Sequence, residues 1–238
     1  MSKTIMITGA GSGFGQGTAI GLAKAGHKVI AGVEIWPQAT ALKNDAEAAG
    51  VDLEIIKIDI TDPQDIANAA NMDVDIVVCN AATGETGPIS EIPVERIRRV
   101  FDVNVFGTLV FAQPFVRKFV KRGHGKVVFT SSIAGFFTFP YLAPYCASKH
   151  ALEAIVQTMR QELEDTGVQI CTINPGPFWT GFNHRMYDTL DQWYDPAKNF
   201  TKEGPIREIQ EKFNSREIEF DPQIMIDKMI EVIPMEHH

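Results

Sequence analysis

Short apolar runs rich in β-branched residues recur at positions 3–8, 29–33, 53–58, 75–79, 126–130 and 168–173. Between them, apolar residues return at the three-and-four spacing of an amphipathic helix. The first such helix follows a glycine-rich run and extends to Ala25, where Gly26 supplies a left-handed stop. A second enters at Pro37 and closes near Gly50, and a third has Asp62 as N-cap with Pro63 at its first position. Residues 94–122 read as one long helix that Pro114 is expected to kink. Further helices are predicted over 145–165 and 222–233, whereas 178–220 mixes aromatics, charges and breakers and predicts only short helices and loops. Apolar strands alternating with amphipathic helices imply an α/β fold, a parallel sheet covered by helices on both faces. No internal repeat, low-complexity tract or Gly/Ser linker divides the chain, so one domain is expected over residues 1–238.

Composition narrows the function classes. The chain has 238 residues, 45% hydrophobic, which is enough for a sizeable single core. A net charge of −8 removes the basic footprint of a nucleic-acid binder. There is no run of eighteen apolar residues and no signal-peptide layout, so neither a membrane span nor export is expected. Cys79, Cys146 and Cys171 are widely spaced, without a metal-ligand pattern, and read as free thiols of a cytoplasmic protein with no metal site. His237 and His238 read as a tail without a functional role.

Two stretches carry chemistry. Thr8-Gly-Ala-Gly-Ser-Gly-Phe-Gly15 lies between a strand and a helix, the setting in which glycines make a dinucleotide turn. Gly9, Gly13 and Gly15 let backbone approach a pyrophosphate, and Ser12 and Phe14 fill the same turn at a helix N-terminus whose free N–H groups favour an anion. Glu34, about twenty residues on at the end of the second strand, is placed to accept hydrogen bonds from ribose hydroxyls and to repel a 2′-phosphate, which favours NAD over NADP. The other stretch is Tyr145-Cys-Ala-Ser-Lys149, which sets a phenol and an ammonium on one helical face. The positive charge of Lys149 is expected to lower the pKa of Tyr145 and fit it for proton exchange with an alcohol or carbonyl.

In this order, Gly9-x-x-x-Gly13-x-Gly15 and Tyr145-x-x-x-Lys149 resemble the motifs of the short-chain dehydrogenase/reductase family, over roughly residues 1–180. The resemblance implies a Rossmann-type, doubly wound parallel sheet of six to seven strands, with a cofactor half at about 1–92 and a catalytic half with substrate loops at about 93–238. It also implies a catalytic tetrad. Ser132 stands thirteen residues before Tyr145, and Asn104 in Phe-Asp-Val-Asn-Val-Phe-Gly takes the fourth place. In the implied mechanism Tyr145 passes a proton to or from the substrate oxygen, and Ser132 stabilises charge on that oxygen. Lys149 also bonds the nicotinamide ribose, and Asn104 holds a water leading from Lys149 to solvent.

The same resemblance places Asp59 and Ile60 at the adenine. Asn80-Ala81-Ala82 stands along the cofactor, and Pro175, Gly176, Phe178 and Thr180 at the nicotinamide carboxamide. Some positions depart from the family pattern. Cys79 and Ala82 replace the Asn and Gly that bracket the Asn-Ala pair, Phe178 replaces a Val or Ile, and the usual acid after the second strand falls at Val33.

Aromatic and apolar residues crowd the loops after the fourth to sixth strands, among them Ile133, Phe136, Phe137, Phe139, Tyr141, Phe178, Trp179 and Phe182. A pocket lined by Ile133, Phe139, Tyr141, Trp179 and Phe182 suits an apolar or aromatic secondary alcohol or ketone. The reading is thus an NAD-dependent oxidoreductase. The alternatives are a dehalogenase- or epimerase-like enzyme of the same fold without net redox, or a non-catalytic dinucleotide sensor. Dehalogenating relatives lack the Lys and the cofactor glycines, and sensor relatives lack the Tyr. Family members commonly pair the two long helices into dimers or tetramers. Val103, Phe106, Phe111, Phe115 and Phe119 on one helix and Ala151, Ile155 and Met159 on the other are the expected contact residues. Nothing after Pro222 resembles the family's glycine-rich seventh strand, so an unusual terminal edge is expected.

Overall fold

In a computed structural model, which describes residues 1–236, the chain forms one six-stranded parallel sheet. The strands are β1 (Thr4–Ile7), β2 (Lys28–Val33), β3 (Glu54–Lys57), β4 (Ile76–Cys79), β5 (Gly125–Thr130) and β6 (Val168–Ile173). They lie in the order β3-β2-β1-β4-β5-β6. The chain therefore winds outward twice from the centre, and the winding reverses between β1 and β4, where the strand ends leave a crevice. His237 and His238 lie outside the described residues.

Alternation along the strands builds two cores. Met6, Val77, Val127 and Phe129 point to one face, where they meet Phe111, Phe115, Phe119, Leu152 and Val156. Ile5, Ile7, Val78 and Val128 point to the other, against Ala19, Leu22, Leu42 and Met229. This period of two inside an all-parallel sheet explains why every strand needs apolar residues on both sides.

The helices on the second face are α1 (Gly13–Lys24), α2 (Trp36–Ala48) and, at the chain's end, α9 (Pro222–Val232). The close approach of α9 to α1 depends on small residues. A Cβ at Gly17 would lie 2.4 Å from Ile226 Cδ1, and one at Gly21 would lie 2.1 Å from Ile230 Cδ1. The other face carries α3 (Pro63–Ala70), α4 (Val94–Phe101), α5 (Thr108–Arg122) and α6 (Ala143–Glu162). Asp62 caps α3 as expected, accepting from the backbone N–H groups of Gln64 and Asp65. Two short helices, α7 (Phe182–Asp188) and α8 (Gly204–Asn214), stand over the crevice.

Several expectations change. The predicted single helix over 94–122 is two α-helices joined by a π-helical stretch, Asp102–Gly107, and α5 continues as α-helix through Pro114. The irregularity falls where backbones meet closely, since a Cβ at Gly107 would lie 3.0 Å from Ile60 O. The helix bearing Tyr145 begins at Ala143, with Pro144 in its first turn, and ends at Glu162. Phe111, Phe115 and Phe119 are core residues packed on the sheet and present nothing to a second subunit, because their i, i+4, i+8 spacing defines the sheet-facing stripe. Phe106 and Val110, 57% and 53% accessible, are exposed apolar residues of this stretch, together with Val94 and Val120.

Among the described residues the sheet has no seventh strand, and β6 forms its edge. The segment before α9 makes only a single parallel bridge, Phe178 with Phe220, beyond β6. No helix among the described residues is long and apolar enough to cross a membrane.

Candidate active site

The crevice at the carboxyl ends of the strands opens into a cleft of about 1190 Å³. Its floor at one end is the glycine turn. Gly9 and Gly13 have φ of +66° and +56°, in the region that favours glycine. A Cβ at Gly9 would meet Ala81 Cα at 2.8 Å, and one at Gly15 would stand 2.3 Å from Gly9 O, so the turn tolerates no side chain at either place. Gly15 stays behind the cleft wall, whereas Gly9, Ser12, Gly13 and Phe14 line it. Ser12 is the N-cap of α1, yet its side chain makes no capping bond. The leading N–H groups of α1 are therefore left to whatever anion enters.

Two hydrogen-bonded ties hold this turn to the rest of the cleft. Asn80 Nδ2 donates to Thr8 O and Gly9 O at 3.1 and 3.2 Å, and Thr8 Oγ1 accepts from the backbone N–H of both Asn80 and Ala81. Across the cleft, the Phe14 ring meets Phe178 edge-on at 5.5 Å. Pro175, Gly176, Phe178 and Thr180 form the opposite wall, and Ala81 and Ala82 lie between.

At the exits of β2 and β3, Glu34, Asp59 and Ile60 all line the cleft. Val33 is fully buried, so Glu34 is the first residue after β2 able to present a carboxylate there. Asp59 Oδ1 accepts from the Thr61 amide and hydroxyl at 2.8 and 2.7 Å, which fixes its turn. Gln38 is a lining residue that sequence reasoning missed. Its Oε1 accepts from the Glu34 backbone N–H at 3.0 Å and so sets the direction of the β2 exit.

Three residues singled out in the sequence meet at the cleft's centre. Ser132, Tyr145 and Lys149 all line it. Ser132 Oγ accepts from Ala134 N at 3.1 Å, which holds the hydroxyl at the β5 exit. Lys149 is buried and donates from Nζ to Thr130 O at 2.8 Å, with its ammonium 5.7 Å from the Tyr145 ring centroid. Burial pushes the Tyr145 phenol up to about 12, with a hydrogen bond from Ser132 acting the other way. Burial likewise brings the Lys149 ammonium down to about 8.

The expected depression of the tyrosine by the lysine is therefore absent. Nζ is turned to a carbonyl, and removal of the phenol from water outweighs the charge. Asn104 is buried beside this centre. Its Oδ1 accepts from Thr83 N at 2.8 Å, and its Nδ2 donates to Thr83 O and to Ser148 Oγ. Ser148 Oγ in turn donates to Tyr145 O at 2.7 Å. The Asn104 side chain thus ties the β4 exit loop to the helix that carries Tyr145.

Of the predicted substrate residues, Ile133, Phe139 and Phe182 line the cleft and Tyr141 and Trp179 do not. Tyr141 adopts φ of +65° and accepts the Gly87 N–H at its carbonyl, in a turn outside the wall. Trp179 lies between the His184 ring and the Arg216 guanidinium, at 4.4 and 3.8 Å. Phe136 and Phe137 face solvent. The apolar wall comes instead from Leu142, Met186, Tyr187, Ile209, Phe213 and Ile218. The spacing of Ile206, Ile209 and Phe213 along α8 is a helical stripe visible in the sequence.

A family model described as short chain dehydrogenase matches residues 3–191. The chain belongs to the short-chain dehydrogenase/reductase family. Among its relatives is an uncharacterized oxidoreductase of Myxococcus xanthus, 36% identical over 73% of this chain and 71% of the relative. Human 17-beta-hydroxysteroid dehydrogenase type 1 is 32% identical over 82% of this chain, a match that spans 63% of that protein's length. Two solved structures share the architecture with 26% identity and a TM-score of 0.71. They are a gluconate 5-dehydrogenase from Burkholderia cenocepacia in complex with NADP and tartrate, and a 3-ketoacyl-(acyl-carrier-protein) reductase from Brucella melitensis complexed with NADH. The first covers 83% of this chain and 78% of its own, the second 79% and 81%. The protein is thus an oxidoreductase of a family that uses NAD(P) and acts on alcohol- or ketone-type substrates.

Proposed function

We propose that this protein transfers hydride between NAD and an apolar or aromatic secondary alcohol or ketone, with Tyr145 as the proton donor and acceptor. The observation that carries the reading is the meeting of Ser132, Tyr145 and Lys149 in the same cleft as the uncapped glycine turn. The residues fit a dinucleotide on structural grounds. Gly9 and Gly13 line the cleft with backbone, Gly15 lets the helix pack against Gly9 O where a Cβ would clash, and α1 presents free N–H groups. Gly9, Ser12, Gly13 and Phe14 would hold the pyrophosphate, Glu34 the adenosine ribose, and Asp59 and Ile60 the adenine. Asn80, Ala81 and Ala82 would flank it, and Pro175, Gly176, Phe178 and Thr180 would hold the nicotinamide end. When bound, the nicotinamide supplies or takes the hydride.

The chain's own part is proton handling and orientation. A phenol held near 12 stays protonated at neutral pH and is a ready donor for carbonyl reduction. Ser132 steadies charge on the substrate oxygen, and Lys149 brings positive charge beneath the phenol. Glu34 supports NAD because a carboxylate repels a 2′-phosphate; the solved relatives bind both NADP and NADH and do not decide between them. Phe139, Phe182, Met186, Ile209 and Phe213 support an apolar substrate, in keeping with the hydroxysteroid dehydrogenase among the relatives. The exposed Phe106 and Val110 support pairing with a second copy through the two long helical stretches, 94–122 and α6. Nicotinamide turnover with a panel of apolar secondary alcohols and ketones tests the reading, run with each dinucleotide. Activity with NAD that is lost in Tyr145→Phe is expected, and NADP preference would overturn the role of Glu34.

A further inference from the structure

Directly behind the proton-transfer residues lies a second buried charge. Glu153 is 4% accessible and sits one helical turn beyond Lys149, itself 2% accessible, on the same face of α6. Its Oε1 accepts from Asn174 Nδ2 at 2.5 Å, and the same Asn174 group reaches Ser132 O at 3.4 Å. Asn174 immediately precedes the Pro175-Gly176 wall, so this carboxylate joins α6 to the exits of both β5 and β6. The space around it is closed. A Cβ at Gly135 would lie 2.8 Å from Glu153 Cγ and 3.2 Å from Lys149 O. Ser131 Oγ, buried and without a hydrogen-bond partner among the described residues, borders the same glycine. The charged and titratable groups facing Lys149 are Glu153 on one side and Tyr145 on the other; β5 contributes only the Thr130 carbonyl.

We propose that Glu153 is a positioning residue of the proton-transfer site, whose buried carboxylate keeps the Lys149 ammonium charged and, through Asn174, fixes the Ser132 loop. Two opposite charges removed from water together are each stabilised by the other, whereas either alone sheds its charge. Glu153 acts on Lys149 in that direction, opposing the loss of its proton that burial favours. The consequence for turnover rests on the oxidoreductase reading above, but the charge coupling does not.

The test is therefore a titration of Lys149 by NMR of the full chain carrying ¹³Cε-lysine, with the resonance assigned by its loss in Lys149→Met. In Glu153→Gln the Lys149 midpoint is expected to fall by about one pH unit or more, the size of effect an adjacent opposite charge has. Glu153→Asp keeps the charge and should hold the midpoint within about 0.3 units of the native one. If Glu153→Gln does not fold, Glu153→Met removes the same charge with similar volume and gives the same readout. The high-pH limb of turnover should move down with the NMR midpoint. A lowered melting temperature with an unmoved Lys149 midpoint makes Glu153 purely structural and overturns the proposal. A native protein that turns over no nicotinamide but shows the NMR shift overturns the oxidoreductase reading alone.

Discussion

The two ends of the cleft are built from different materials. At the glycine turn the walls are backbone: Gly9, Gly13 and Gly15 bring main chain together at distances that exclude a Cβ or require positive φ, and Asn80 and Thr8 lock the turn to β4. At the substrate end the walls are side chains on short helices, with Met186 and Tyr187 from α7 and Ile209 and Phe213 from α8. Backbone walls fix one shape, and a change there is expected to be close to all-or-none. Side-chain walls fill a volume, so a change there should be graded and should alter which substrate fits before it alters whether catalysis occurs. Ser132, Tyr145 and Lys149 stand between, on α6 and the β5 exit.

That contrast can be broken or sharpened by substitution. The largest effect belongs to the centre: Tyr145→Phe should lower kcat by about a thousandfold, as expected for loss of a general acid, while dinucleotide affinity stays within about twofold. Gly15→Ala comes next. Its Cβ would stand 2.3 Å from Gly9 O, and dinucleotide Kd measured by fluorescence should rise by about a hundredfold, roughly 2.8 kcal/mol. At the other end, Phe213→Ala should raise KM for a bulky apolar ketone by about tenfold with dinucleotide Kd unchanged. A loss of dinucleotide binding in that variant would erase the distinction between the two ends. The smallest effect is at the adenosine rim, where Glu34→Gln should reduce the preference for NADH over NADPH by about fivefold, the worth of one hydrogen bond of about 1 kcal/mol.

The same contrast explains what could be read from the sequence. Gly9, Gly13, Tyr145 and Lys149, singled out by local spacing, line one cleft, and Gly15 stands behind its wall. The parallel sheet follows from alternation of apolar runs and helices, and the six strands fall where those runs do. Long-range packing was less legible. Phe111, Phe115 and Phe119 read as an oligomer face but fill the core, since apolarity alone does not tell a sheet-facing stripe from a subunit contact. Trp179 and Tyr141 read as pocket residues because they sit in the right loops. Their direction depends on partners such as His184 and Arg216, and on a left-handed turn at a non-glycine residue. The pKa of Tyr145 was misread for a similar reason: helical spacing gives proximity to Lys149, but burial of the phenol raises it.

The central claim is that Tyr145 is a partly buried, protonated donor beside a nicotinamide. Transient-state hydride transfer, followed in both directions against pH with an apolar ketone and its alcohol, tests it most directly. A phenol held near 12 and an ammonium near 8 predict that reduction stays level through neutral pH and declines as Lys149 loses its charge above about pH 8. Oxidation, which needs the phenolate, should climb with pH from the same neutral range. Equal pH dependence in both directions, or hydride transfer undiminished in Tyr145→Phe, would contradict the account.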